Sequence, residues 1–434
     1  MTHRDADRTV EVEGLARVEG EGSLRIVVRG GAVTDVALSI FEPPRMFEAL
    51  LVGRRHTEAP DITSRICGIC PVAYQMSACA AVEHACGIQV GEPIRRLRRL
   101  LYCGEWIQSH ALHIYLLHAP DFLGLDDAVQ LAAADRAAVE RGLRLKRAGN
   151  LVMEVVGGRA VHPVNVRVGG FYRAPAAAEV SALHAPLRGA LDDALATVEW
   201  VSALDIPAVE SDYRFVALTE PHGYAIEGGQ VVSSDGVHTD PAGFAGMVVE
   251  EQVPRSTALH AGLEGRGSYL TGPLARYALN GGRLPPLALR AALDAGLGPQ
   301  CRNPFRSIVV RAVELVAACE EALSIVGSYR PPAPAAVAVP PAEGVGVGAT
   351  EAPRGLLLHR YELDADGLIR AARIVPPTSQ NQATIEDDLR RVAEVSLDLP
   401  QAELTRRCEQ AVRNHDPCIS CATHFLDVRV ERSP

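Results

Sequence analysis

Lysine is nearly absent from this 434-residue sequence, because Lys146 is the only lysine among 43 basic residues. Aromatic residues make up 5% of the chain, and no uninterrupted apolar run reaches the roughly 18 residues of a transmembrane helix. The N-terminus lacks the apolar segment of a conventional signal peptide. A net charge of −10 argues against nucleic-acid binding, and 47% hydrophobic residues exclude a disordered chain. We therefore expect a globular protein with no direct membrane span.

Short alternating segments predict antiparallel β-structure in three parts of the chain. Residues 9–40 alternate and turn at Gly30-Gly31. Residues 205–285 are rich in glycine and valine and are predicted as strands and loops, with a hairpin near 223–236. Residues 356–375 predict a further hairpin that turns at 364–367.

Long stretches rich in alanine and leucine, with arginine and glutamate at the outer positions, predict helices. These stretches are 71–86, 91–119, 126–156, 177–203 and 287–328, with a short helix in 43–56 and two short helices before the C-terminus. The Pro/Gly-rich segment 329–350 is predicted to run over the surface. The predicted fold class is α+β, mainly long helices with antiparallel β portions, in one domain over residues 1–434.

Four of the ten cysteines form two C-x-x-C pairs, Cys67 with Cys70 and Cys418 with Cys421. Such a pair places two thiols on one side of a tight turn, where both reach one metal ion. Pro71 follows the first pair and Pro417 precedes the second, so a helix is predicted to begin at each. A helix N-terminus favours the thiolate that binds metal. The six other cysteines stand alone and are interpreted as buried, unreactive thiols.

The spacing of the two pairs leaves their metal open. Zinc ribbons separate their pairs by about 15–20 residues, whereas 347 residues separate Cys70 from Cys418. A structural zinc site, a redox metal or iron–sulfur centre, and an accidental pairing all remain as interpretations at this point.

The residues around the pairs resemble a known family. RICGIC at 65–70 and DPCISCATH at 416–424 resemble the two signature motifs of the nickel–iron hydrogenase large subunit, in the family's order and at the same ends of the chain. The first motif is most similar to the cytoplasmic, NAD(P)-linked branch, which includes the sulfhydrogenases. Tyr74 stands where membrane-bound uptake enzymes usually carry histidine.

The resemblance implies a nickel–iron centre held by the four cysteines. Cys67 and Cys418 would be terminal nickel ligands, and Cys70 and Cys421 would bridge nickel to an iron that carries carbon monoxide and cyanide. Soft thiolates suit both metals. The implied activity is the reversible splitting of dihydrogen into protons and electrons.

Glu19, in the segment RVEG, resembles the family's proton-relay glutamate. The resemblance implies that it takes the proton from Cys418 and passes it outward. Without the resemblance, Glu19 is an exposed strand glutamate, as its acidic neighbours Glu11, Glu13 and Glu21 suggest.

A magnesium site is implied near the same centre. Glu48 and His424 match the family's ligands, and the backbone carbonyl near Ile374 is expected to complete the set. Magnesium prefers oxygen ligands, so the imidazole is an unusual member. The alternative for Glu48 is a solvated helix glutamate.

Arg354 resembles the arginine whose guanidinium lies over the open metal position. Asp121 and Asp416 match acids that hold this guanidinium in place. Segment 329–350 is expected to lead Arg354 into the site. The alternative for both aspartates is ordinary turn and cap chemistry.

Three further positions and the tail follow from the resemblance. Pro376 and Thr378 match the segment that packs against the cyanides, and His162 matches a motif that supports the ligands. Residues 425–434 correspond to a propeptide that a maturation endopeptidase removes after nickel insertion. The alternative for this tail is a C-terminal strand.

Electrons need a route that this chain does not supply, because the remaining cysteines form no cluster motif. The resemblance implies an iron–sulfur small subunit and a diaphorase-type module that meets NAD(P) through flavin, with the whole assembly in the cytoplasm. A complex I-like subunit without nickel and a zinc-stapled structural protein are the competing hypotheses.

Overall fold

The computed structural model describes residues 7–42 and 46–423, and helices dominate it. The helices are α1 (Phe47–Leu51), α2 (Ala59–Thr63), α3 (Pro71–Ala85), α4 (Glu92–Leu112), α5 (Ala119–Phe122), α6 (Ala128–Ala134), α7 (Arg136–Gly157), α8 (Ala177–Ser181), α9 (His184–Ser202), α10 (Pro241–Met247), α11 (Pro273–Asn280), α12 (Pro286–Asp294), α13 (Ser307–Ser328), α14 (Pro377–Val395), α15 (Gln401–Asn414) and α16 (Ile419–Ala422). One turn of π-helix, His113–His118, continues α4 towards α5.

The strands form small antiparallel sheets. They are β1 (Arg8–Val12), β2 (Gly22–Arg29), β3 (Ala32–Ile40), β4 (Val166–Arg167), β5 (Gly170–Phe171), β6 (Val216–Thr219), β7 (Gln230–Ser233), β8 (His238–Thr239), β9 (Val248–Gln252), β10 (Leu259–Leu263), β11 (Gly344–Ala352), β12 (Gly355–Leu363) and β13 (Ile369–Val375). Three sheets have three strands each, in the order of the chain: β1-β2-β3, β6-β7-β8 and β11-β12-β13. The predicted α+β class is confirmed.

The long helices enclose the main core. Helix α4 packs against α7 and α13, and α9 packs against α13 and α7. Their buried faces are mostly aliphatic and belong to the same core as the two cysteine pairs. A second core lies between the N-terminal sheet and the helices α14 and α15. The main core includes Cys418 and Cys421, and the second core extends to Val412 in α15, shortly before them in the chain.

Strand β11 corrects the prediction for 329–350. Residues 344–350 are not a surface loop, because they form the first strand of a sheet on which α3 packs. The glycines of this strand permit the contact. A Cβ atom on Gly346 would lie 1.9 Å from the carbonyl oxygen of Ala81, and one on Gly348 would lie 2.3 Å from that of Ser77.

Several element predictions were wrong in detail. The region 205–285 contains two helices, α10 and α11, besides its strands. The predicted helix 126–156 is interrupted at Asp135, whose side chain caps α7 through the N–H of Ala138. The two helices expected to be short, α14 and α15, are 19 and 14 residues long. Within 7–42 and 46–423, no helix is both long enough and apolar enough to span a bilayer.

Candidate metal centre

Both cysteine pairs lie where a helix begins. Cys70 is the residue before α3, and Pro71 is its first residue, as predicted. Cys418 stands in the same position before the short helix α16. The backbone N–H groups of Ile69 and Cys70 both donate to the sulfur of Cys67, each at 3.3 Å. These turns aim the thiols at a common point.

The four sulfur atoms converge although their pairs are far apart in sequence. All four lie within 4.8 Å of one another, and all four cysteines are buried and free of disulfides. The Cys67 and Cys418 sulfurs are 3.4 Å apart, and those of Cys418 and Cys421 are 2.7 Å apart. Four converging sulfurs suit zinc, nickel or iron.

The surroundings shift the pKa values of these thiols in different directions. Hydrogen bonds with Cys418 and Cys421 lower the pKa of Cys67 well below its ordinary value. Burial raises the pKa of Cys418 and of Cys421 well above the ordinary value. A bound cation would remove this cost, because metal binding displaces the thiol protons.

Arg354 supplies a positive charge beside the sulfurs. Its side chain is 2% exposed, and its Nη2 donates to Asp416 Oδ1 at 3.0 Å. Burial lowers the pKa of Arg354, but Asp416 and the sulfurs of Cys418, Cys70 and Cys67 raise it well above the ordinary value. Its Nε and Nη1 have no hydrogen-bond partner among the described residues. The guanidinium therefore stays charged, and two of its nitrogen donors have no partner among the described residues.

Asp416 adopts an unusual backbone conformation. Its φ is +50°, in the left-handed region that residues other than glycine rarely adopt. Pro417 follows it, and a residue before proline is restricted further. Such positions cost about 1–3 kcal/mol and persist only where the surroundings fix them, often at functional sites.

Glu19 lies next to the second pair. Its Oε2 accepts from the Cys418 thiol at 3.2 Å and from the Ser420 N–H at 3.0 Å. Its backbone carbonyl accepts from Ile419 N at 2.9 Å. Gly20 makes this approach possible, because its φ is +92° and a Cβ there would lie 2.7 Å from the Ile419 Cβ.

Glu48 and Cys421 line the same small cavity. Its Oε1 accepts from the backbone N–H of Ile374 at 2.6 Å. A cavity of about 30 Å³, the volume of one water molecule in the liquid, lies between Glu48 and Cys421 and is also lined by Pro376 and Ile374. The predicted ligand His424 lies outside the described residues.

Asp121 does not bind Arg354, so this prediction was wrong. Its carboxylate accepts from Arg413 Nε and Nη2 at 2.7 and 2.8 Å, and from Arg17 Nη2 at 2.5 Å. The two arginines come from the C-terminal and N-terminal ends of the described chain. Asp121 therefore joins the segments that carry Glu19 and Cys418.

The remaining predicted residues fall into two groups. Thr378 contacts the site directly, because its Oγ1 accepts from the Cys418 N–H at 2.9 Å. Pro376 precedes α14 and brings Thr378 to this position. His162 has a φ of +49°, and its ring bonds to the carbonyl oxygen of Ser64 at 2.7 Å. It supports the segment that leads to Cys67.

One buried acid near the site was missed. Glu105 accepts from the N–H groups of Val72 and Ala73 at 2.6 and 3.1 Å and so binds the N-terminus of α3. Burial raises the pKa of Glu105 well above its ordinary value, although the two N–H bonds lower it. Its sequence signal is a single acid within the otherwise apolar stretch LLYCGEWI.

Comparisons with known proteins agree with this geometry. The chain matches the family model described as nickel-dependent hydrogenase over residues 45–143 and 321–424. It is 34% identical to the alpha subunit of sulfhydrogenase 1 from Pyrococcus furiosus, covering 96% of this chain and 98% of the relative. The alpha subunit of sulfhydrogenase 2 from the same organism is 32% identical, covering 96% and 99%. A solved NAD+-reducing NiFe hydrogenase superposes with a TM-score of 0.86 at 28% identity, covering 96% and 99%.

Proposed function

Because the chain belongs to the nickel-dependent hydrogenases, we propose that its four buried cysteines hold a nickel–iron centre and that Glu19 carries protons from it. The chain is the catalytic large subunit of such an enzyme. The observation that carries the proposal is the convergence of four buried sulfurs within 4.8 Å, with Glu19 at 3.2 Å from one of them.

The donor set fits the implied centre. By position in the motifs, Cys67 and Cys418 would bind nickel alone, and Cys70 and Cys421 would bridge to iron carrying carbon monoxide and cyanide. When bound, this centre supplies an open position for dihydrogen and a metal that changes oxidation state. Arg354 fits beside it, since the unpaired donors Nε and Nη1 are buried there.

The protein's own task is to move the proton and fix the charges. The Cys418 thiol already donates to Glu19, so a proton on this sulfur has an acceptor at hydrogen-bond distance. Arg354 keeps its proton, because guanidinium groups remain charged in proteins. It therefore acts as a fixed positive charge held by Asp416. Thr378 and Pro376 would support the cyanide-bearing side of the iron.

We further propose a magnesium site beside Cys421. The cavity of about 30 Å³ and the carboxylate of Glu48 support it, and His424 would complete it as the family motif implies. Glu48 holds its position through the Ile374 N–H. Water molecules would fill the other positions around the ion.

Electron transfer requires other subunits. A small subunit with iron–sulfur clusters and a flavin-bearing module that reduces NAD(P) are the proposed partners. Support comes from the sulfhydrogenase relatives and from the NAD+-reducing structural neighbour. Nicotinamide cofactors favour the cytoplasm as the site of action.

The tail after His424 would be removed by a maturation endopeptidase. The intact mass of nickel-loaded protein tests this directly, because hydrolysis after His424 must lower the mass by the summed residue masses of FLDVRVERSP, which is the mass of the free peptide less one water. An unchanged mass in active protein would contradict the proposal.

The deciding experiment combines metal analysis with infrared spectroscopy on protein matured in a host that inserts nickel. We expect nickel and iron near one each, with bands of metal-bound carbon monoxide and cyanide. A known hydrogenase matured in the same host serves as control. Zinc without such bands, while the control shows them, would leave the cysteines as a structural staple and refute the enzyme assignment.

A further inference from the structure

One helix, α14, holds the C-terminal cysteine segment at two points. Near its start, Thr378 Oγ1 accepts from the Cys418 N–H at 2.9 Å. Ten residues later, Asp388 Oδ2 accepts from His415 Nε2 at 2.8 Å. These anchors are about 15 Å apart along the helix, at 1.5 Å per residue. Asp416, with its φ of +50°, lies between them.

The second anchor is itself firmly fixed. Asp388 is 2% exposed, and Ser211 Oγ donates to its Oδ1 at 2.5 Å. The Tyr213 hydroxyl donates to its Oδ2. Burial and the nearby Asp388 raise the pKa of Tyr213 well above its ordinary value, so this hydroxyl keeps its proton and remains a donor. Two donors, besides His415, thus fix the carboxylate that accepts from His415.

The two anchors together explain how Asp416 stays in a strained conformation. A residue before proline with a positive φ relaxes unless its neighbours are held. His415 is held on one side and Cys418 on the other. The backbone N–H of Asp416 also donates to the carbonyl oxygen of Arg413 at 3.1 Å. Its carboxylate has fewer partners, because Oδ2 has no hydrogen bond among the described residues and His113 Nε2 lies 4.0 Å from Oδ1. Its Oδ1 bonds to Arg354.

We propose that His415 and Asp388 are positioning residues for Arg354: they fix the backbone of Asp416, and Asp416 fixes the guanidinium beside the four sulfurs. Neither side chain touches the sulfurs in this arrangement, so both act through Arg354. The inference rests on the proposed function, since it assigns these residues a part in dihydrogen turnover.

The test uses the complete matured enzyme and replaces His415 with leucine, which cannot donate to Asp388. We expect turnover to fall at least about tenfold, because small misplacements of a charged group cost this much or more. The infrared bands of metal-bound carbon monoxide and cyanide should shift, while nickel content stays at the wild-type level. His415→Gln, which retains a donor, should restore turnover to within about threefold of wild type.

A double-mutant cycle separates positioning from general destabilisation. If His415 acts through Arg354, adding His415→Leu to Arg354→Lys should lower turnover by no more than about twofold beyond Arg354→Lys alone. If His415 had a merely structural role, the losses of turnover from the two substitutions would multiply in the double variant. Asp388→Leu, which removes the acceptor of the His415 hydrogen bond, should resemble His415→Leu, whereas Asp387→Leu, on the exposed side of the same helix, should leave turnover unchanged.

The outcomes are distinct. Wild-type bands and turnover in His415→Leu, or losses that multiply in the double variant, would overturn the inference. If His415→Leu fails to load nickel, the Tyr213→Phe variant tests the inference instead, because it removes only one donor to Asp388. Turnover lowered about two- to fivefold would support the inference. Wild-type turnover would overturn it. A wild-type enzyme without nickel or the infrared bands would instead overturn the proposed function.

Discussion

Replacing Glu19 with glutamine tests the proton route at its first step. The amide has the shape of the carboxylate and keeps an oxygen that accepts from the Ser420 N–H, so the loop around Gly20 should remain in place. The amide cannot, however, take the proton that the Cys418 thiol donates at 3.2 Å. The variant therefore removes one chemical capacity and little of the packing.

The magnitude follows from the role of a positioned acid–base group, which contributes about 10²–10⁴-fold to rate. At 1.36 kcal/mol for each factor of ten, the barrier should rise by about 3–5 kcal/mol. The assay is dihydrogen oxidation with an artificial electron acceptor, normalised to nickel content. The infrared bands should show an intact centre in the variant.

Glu21→Gln provides the matched control, because Glu21 lies two residues away with an exposed side chain and should retain full activity. Turnover of Glu19→Gln within about threefold of wild type, with nickel fully loaded, would refute the reasoning, since it would place the proton route elsewhere.

Three other predictions concern the metal, the packing and the pH dependence. Cys421→Ser should abolish nickel retention in metal analysis, because a hydroxyl is a poor ligand for a soft metal site, whereas Cys86→Ser, at a half-buried cysteine outside the cluster, should retain it. Gly346→Val should lower the free energy of unfolding by about 1–3 kcal/mol or more in denaturant titration, because the valine side chain would overlap Ala81. Gly189→Ala, which has open space around it, should be neutral or stabilising. Equal stability of the two variants would contradict the packing of β11 on α3. Burial lowers the pKa of His359 to about 3 from its ordinary 6.5. This ring stays neutral in the folded state and takes up a proton on unfolding, so its contribution to stability is present above pH 6.5 and is lost as the pH falls towards 3. His359→Gln should therefore reduce the slope of the free energy of unfolding against pH in this range. An unchanged slope would show that the ring is not buried as a neutral group.

The sequence predicted most of the architecture wherever side chains carry a pattern. The alternation in 9–40 and the alanine- and leucine-rich stretches gave the correct element types. Strand β11 was not predicted, because the glycines at 344, 346 and 348 have no side chains that could alternate. Their role is evident only from the close contact with α3. Helix α10 carries a usable signal, since Asp240 precedes Pro241 and caps the helix through Gly243 N.

The cluster itself could be predicted because paired cysteines and their flanking residues form local motifs. Partners across the fold could not be predicted in the same way. Asp121 matched a family position, but only the packing of both chain ends around it selects Arg17 and Arg413 over Arg354. Likewise, His415 gives no sign in sequence of its bond to Asp388, 27 residues earlier.

The separation of the two cysteine pairs also imposes an order of events during synthesis. At about 5–20 residues per second, the 347 residues between Cys70 and Cys418 take roughly 20–70 s to translate. During that interval Cys67 and Cys70 exist as a half-site with two thiols and no partners from the second pair. Any metal captured then would be held by two sulfurs instead of four and would exchange readily. Stable nickel binding by all four sulfurs must therefore wait until the segment with Cys418 and Cys421 has left the ribosome and packed against the first pair.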